Sequence, residues 1–93
     1  MKRDEENATG KARIMVVEDE RIVAMDTEEL LCGLGYQVCI VVPSGEEAIL
    51  AATGQCSDLV LMDIRLGGQI DGIKAAEVIR NKLDVPVIFL SAY

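Results

Sequence analysis

The sequence contains no histidine and no tryptophan, and its aromatic content is 3%, from two tyrosines and one phenylalanine. Without histidine there is no imidazole general base, no His-bearing metal site and no phosphohistidine chemistry on this chain. With so few aromatics the core has to be aliphatic, and Val, Ile, Leu, Met and Ala are plentiful enough to build it. Basic residues are also scarce: 9 Lys and Arg stand against 16 Asp and Glu, for a net charge of −7. Nucleic acid as a direct partner, or an anionic membrane surface, would need clustered Lys and Arg, so both are disfavoured. The three cysteines, Cys32, Cys39 and Cys56, are odd in number and lack CxxC spacing. No secretory segment and no apolar run of bilayer-spanning length is present. Free, mostly buried thiols in a reducing cytoplasm are expected. There is no GxGxxG, no phosphate-binding Walker loop and no twelve-residue calcium loop.

What is present is an alternation within 93 residues, the size of one domain. Met1 to about Lys11 is polar and reads as a flexible leader. Ala12–Val17 is an apolar run suited to a strand buried on both faces. A helix follows over Glu20–Leu34, with Val23, Thr27, Leu30, Leu31 and Leu34 on its apolar stripe. Tyr36–Val42 reads as a second strand. Ser44-x-x-Glu47 is a capping box that starts a second helix. Leu59–Met62 is a third strand, and Gly67-Gly68 belong to a loop. Asp71 caps a helix over Gly72–Leu83 whose inward face is Ile73, Ala76, Ile79 and Leu83. Arg80 and Lys82 read as solvated charges suited to that helix's C-terminal end. Pro86 opens a fourth strand, Val87–Leu90. The order β-α-β-α-β-α-β with short links implies an α/β fold, a parallel sheet with helices on both faces.

Ligands in such sheets bind beyond the carboxyl ends of the strands. There the first run meets Glu18-Asp19, the third meets Asp63 and the fourth meets Ser91. Each has a plainer use: Glu18-Asp19 as acids at a helix start, Asp63 as a turn residue, Ser91 as a cap. Together, at three strand ends, they suit a hard cation such as Mg²⁺ and a phosphoryl group. Glu18, Asp19 and Asp63 supply oxygen ligands. Asp63 stands alone on the central strand as a candidate nucleophile. The Ser91 hydroxyl is a donor to the phosphoryl group.

The set Ile14-Met-Val-Val-Glu18-Asp19-Glu20, Asp58-Leu-Val-Leu-Met-Asp63-Ile-Arg65, Asp71-Gly72-Ile73 and Pro86-Val-Ile-Phe-Leu-Ser91-Ala92 resembles the receiver domain of two-component response regulators. The resemblance runs from about Arg13 to Tyr93. It implies a flavodoxin-like doubly wound sheet of order 2-1-3-4 over 12–93, lacking the family's last helix-strand-helix. It further implies Asp63 as phosphoacceptor, and Glu18, Asp19, Asp63 and the backbone carbonyl of Arg65 around Mg²⁺. Ser91 would contact the phosphoryl group. The phosphate donor would be a histidine kinase or phosphotransfer protein, and the domain a switch rather than an enzyme. The sequence departs from the pattern in a longer Gly67-Gly68 loop, in a cation at Arg65 beside the phosphoryl site, and in having no lysine to assign to the family's phosphoryl-contacting one. The fourth strand would be an open sheet edge, which invites a homodimer. Two other readings remain: an interaction fragment without phosphorylation, and an aspartate-nucleophile phosphatase. The phosphatase usually carries Asp-x-Asp where this chain has Asp63-Ile64-Arg65.

Overall fold

The structure, a computed structural model, describes residues 10–54, 57–66 and 71–90. Cys56, the Gly67-Gly68 loop, Ser91 and the leader up to residue 9 lie outside the described residues. The elements are β1 (Arg13–Val17), α1 (Arg21–Gly33), β2 (Gln37–Val42), α2 (Gly45–Thr53), β3 (Leu59–Asp63), α3 (Gly72–Lys82) and β4 (Val87–Leu90). The four strands form one parallel sheet in the order β2-β1-β3-β4. β1 and β3 are therefore central, and β1 is buried along its whole length, as its unbroken apolar run requires.

Local chemistry sets the helix ends. Ser44 Oγ accepts the Glu47 N–H at 3.2 Å and caps α2. Asp71 Oδ1 accepts the Lys74 N–H at 2.8 Å and caps α3. The N-cap of α1 is Glu20, which makes no side-chain capping bond. At the other end of α1, Gly35 adopts φ 97°, a left-handed conformation that glycine takes without a steric penalty. The turn closes with Tyr36 N–H donating to the Leu31 carbonyl at 3.0 Å.

One face of the sheet carries the main core. Met15, Val17, Val42, Val60, Met62 and Val87 pack there against Ala48 and Ala52 of α2 and Ala75, Ala76 and Ile79 of α3. The small residues let both helices lie close to the sheet. On the other face α1 packs on β1 and β2. It buries Ala24 and half-buries Thr27 and Leu31. Val23, Leu30 and Leu34, expected on the inward stripe, are 40%, 64% and 64% exposed. The helix is rolled so that the small side chain of Ala24 meets the sheet. The expected and observed stripes share only Thr27 and Leu31.

Ile73 is likewise exposed rather than inward, because Gly72, Ala75, Ala76 and Ile79 form the buried face of α3. Cys32 is exposed and stands outside the core, whereas Cys39 is half-buried and packs against it. Cys39 occupies the bulge that shifts the β1–β2 register between Ile14 and Met15. Arg80 is more than a solvated charge: its Nη2 donates to the Val87 carbonyl at 3.3 Å. No helix among the described residues is long and apolar enough to cross a membrane.

Candidate functional site

The parallel sheet places the carboxyl ends of β1 and β3 side by side, since Val17 pairs with Met62. The chain beyond β1 stays anchored, because the Glu18 N–H donates to the Val42 carbonyl at 3.0 Å. Glu18 is thereby buried at the sheet's end, while Asp19, one residue further, is exposed. Asp63 ends β3 and is half-buried. The Ile64 N–H donates to the Leu90 carbonyl at 3.2 Å and ties this end of β3 to β4.

One carboxylate oxygen from each of Glu18, Asp19 and Asp63 lies within 4.8 Å of the other two. The cleft above them, about 290 Å³, is lined by Glu18, Asp19, Glu20, Val23, Asp63, Arg65 and Leu90. Two backbone donors orient the acids. Glu18 Oε2 accepts the Glu20 N–H at 3.1 Å, and Asp63 Oδ1 accepts the Arg65 N–H at 3.0 Å. Glu18 thus serves the loop between β1 and α1 and does not cap the helix.

Burial pushes the Glu18 carboxyl up to about 7, helped by its hydrogen bond to Asp63, the Asp63 charge and a hydrogen bond to Asp19, and opposed by the Glu20 N–H. A proton near neutral pH is what such a cluster holds when no cation neutralises it. Oxygen-only donors, close spacing and unbalanced negative charge fit a hard divalent cation. The residues present therefore fit Mg²⁺ better than a softer metal that prefers nitrogen or sulfur.

Of the residues singled out from sequence, the structure brings together Glu18, Asp19, Asp63 and Arg65. Ser91 lies outside the described residues, and Leu90, the residue before it, lines the cleft. Val23, Glu20 and Leu90 also line this cleft but were not read as site residues. Leu90 was legible as the last residue of the fourth run, which must end at the same edge as Asp63. Val23 falls by its spacing on the apolar stripe of α1, which hides its place at the cleft. A larger cleft, about 430 Å³, lies on the other side of Glu18 and Asp19, between α1 and the end of β2.

The sequence profile of the response regulator receiver domain matches residues 14–93. The phyllosphere-induced regulator PhyR of Methylorubrum extorquens is 38% identical over 81 residues, covering 86% of this chain and 30% of that protein. The transcriptional regulatory protein PdtaR of Mycobacterium tuberculosis is 36% identical over 81 residues, covering 87% of this chain and 39% of that protein. The chain thus spans roughly a third of the length of these relatives. Among solved structures, the PhyR receiver domain of Erythrobacter litoralis superposes with a TM-score of 0.79 at 36% identity, over 94% of this chain and 67% of that one. The receiver domain of a modulated diguanylate cyclase from Desulfovibrio desulfuricans gives 0.82 at 34% identity, over 87% and 65%. The sheet order, the acidic cluster at its carboxyl end and these likenesses agree, and the chain belongs to the response regulator receiver domain family of two-component signalling.

Proposed function

We propose that this chain is a phosphoacceptor switch, taking a phosphoryl group from a partner histidine kinase or phosphotransfer protein onto Asp63. The observation that carries the reading is the convergence of Glu18, Asp19 and Asp63 beyond two central strands, with oxygens within 4.8 Å of one another. An Asp63 carboxylate oxygen forms the new O–P bond. The P–N bond to the donor imidazole breaks, and its electron pair stays on the imidazole nitrogen. Glu18 and Asp19, with Asp63 and the Arg65 carbonyl, would hold Mg²⁺, which offsets the charge of the phosphoryl oxygens. The Arg65 N–H orients the Asp63 carboxylate, and Arg65, a basic residue, lines the same cleft. Ser91 would donate a hydrogen bond to the phosphoryl group.

The receiver fold is typically a switch and not an enzyme. Arg65 stands where an aspartate-nucleophile phosphatase would carry its second acid, which counts against that activity. We place the receiver portion at 12–93 after a short leader and assign the protein to the cytoplasm, where histidine kinases present their phosphate.

A second partner we propose is another copy of the chain, along β4. Ile88, Phe89 and Leu90 are exposed there, although Arg80 already engages the Val87 carbonyl. A sedimentation run that finds only monomer at high concentration removes this partner and leaves the switch intact.

The test of the switch is intact-mass spectrometry after incubation with acetyl phosphate, with and without Mg²⁺. A single phosphoryl adduct that requires Mg²⁺ and is lost in Asp63→Asn is the expected result. No adduct on folded protein would leave the interaction-fragment reading.

A further inference from the structure

Gly72 opens α3 and is buried. A Cβ at this position would stand 2.5 Å from the main-chain oxygen of Asp63 and 3.4 Å from both Ile64 Cα and Met62 Cγ. The nearest of these is backbone, so no side-chain rotation would relieve the clash. Its φ is not left-handed, so the glycine is required for room and not for conformational freedom.

The helix has little freedom to retreat. Asp71 caps its first turn, Ala75, Ala76 and Ile79 are buried in the core, and Arg80 ties its last turn to the Val87 carbonyl. α3 is therefore a fixed stop against which the end of β3 rests.

We propose that Gly72 is a positioning residue for the phosphoacceptor: its missing Cβ lets the first turn of α3 seat the Asp63 backbone at the depth that brings its carboxylate to Glu18 and Asp19. The proposal rests on the reading of those three acids as the Mg²⁺ and phosphoryl site. A methyl group at position 72 would have to drive the two backbones apart by about 0.5 Å to reach even 3.0 Å. Mg²⁺ takes oxygens at about 2.0–2.1 Å in near-octahedral geometry and tolerates little displacement of a ligand. A misplacement of about 1 Å costs about a hundredfold in a reacting geometry, so about tenfold is expected here.

The test is an amide NMR titration with MgCl₂ on the full chain and on Gly72→Ala and Ser44→Ala, paired with the rate of the acetyl phosphate adduct. In the wild type, the amides of Gly72 and Ile73 should shift with the same Kd as those of Glu18, Asp19 and Asp63. Gly72→Ala should keep a dispersed spectrum, raise the Mg²⁺ Kd about tenfold and slow the adduct by a similar factor. Ser44→Ala loses a helix cap without touching Asp63, and should bind Mg²⁺ as the wild type does. Equal Mg²⁺ affinity in a folded Gly72→Ala would overturn the positioning role while leaving the site standing. If Gly72→Ala does not fold, the wild-type titration decides. Silent amides at Gly72 and Ile73 beside responding ones at Asp63 overturn the role. A wild type in which no amide responds to Mg²⁺ overturns the site, and the role with it.

Discussion

The two ends of this sheet treat charge in opposite ways. At the amino end, Arg13 opens β1 and Asp58 precedes β3. Asp58 Oδ2 accepts the Arg13 N–H at 2.8 Å and lies 3.8 Å from its Nε, with side chains 9% and 19% exposed. There a cation meets an anion, and the pair joins two strand ends 45 residues apart in sequence. At the carboxyl end, three acids meet instead. The first pairs opposite charges within the chain and serves the fold, although Arg13 Nε and Nη2 are buried there without a hydrogen bond among the described residues. The second sets Glu18, Asp19 and Asp63 against Arg65 in one cleft, and burial makes the excess of acid felt, as the raised Glu18 shows. Charge that the fold does not balance marks the site, whereas charge alone does not.

That contrast can be broken by exchanging losses between the ends. Asp63→Asn removes the nucleophile and should abolish the acetyl phosphate adduct completely, read by intact mass, without loss of thermal stability, since it relieves repulsion on Glu18. Asp58→Ala should do the reverse. It strands a buried guanidinium at a cost of about 3 kcal/mol in urea unfolding, yet whatever fraction remains folded should still take the phosphoryl group. Equal damage to stability from both substitutions would dissolve the distinction.

A pH series sharpens it. Glu18 has an ordinary value of 4.5 and about 7 in the fold, so between the two the folded chain holds more protons than the unfolded one. Its contribution is fully present below about 4.5 and is lost as pH rises through about 7, so the metal-free protein should lose stability across that window. Glu18→Gln should flatten the slope, and saturating Mg²⁺ should reverse it, because Mg²⁺ takes the ionised form. The smallest effect is expected from Glu77→Ala. Its carboxylate meets Lys74 Nζ at 3.3 Å, but both side chains are more than half exposed, so stability should change by less than about 0.5 kcal/mol. Burial, rather than pairing as such, separates this ion pair from Arg13–Asp58.

Much of this was legible in the residues. Three apolar runs end on Glu18-Asp19, Asp63 and Ser91, and the rule that parallel strands share a carboxyl end places the first two groups together without any coordinates. The caps at Ser44 and Asp71 are local hydrogen bonds between residues three apart, so spacing alone predicts them. The roll of α1 was not legible. Two stripes about a third of a turn apart are both partly apolar, and only the sheet's position selects Ala24 over Val23. The same holds for Ile73, exposed beside a buried face of small residues, and for Cys32, apolar enough for a core it does not enter.

The sequence by itself determined which chemistry can occur, through the absence of histidine, the excess of acid and the residue at each strand's end. It also determined the order of elements, because hydrophobic period, caps and turn residues act over a few positions. Tertiary structure alone decided that Glu18 is buried while Asp19 is open, that Glu18 holds its proton to about 7, and that a side chain at position 72 would strike Asp63. Those are matters of depth and approach between segments far apart in the chain, and a linear pattern carries periodicity and charge but not distance.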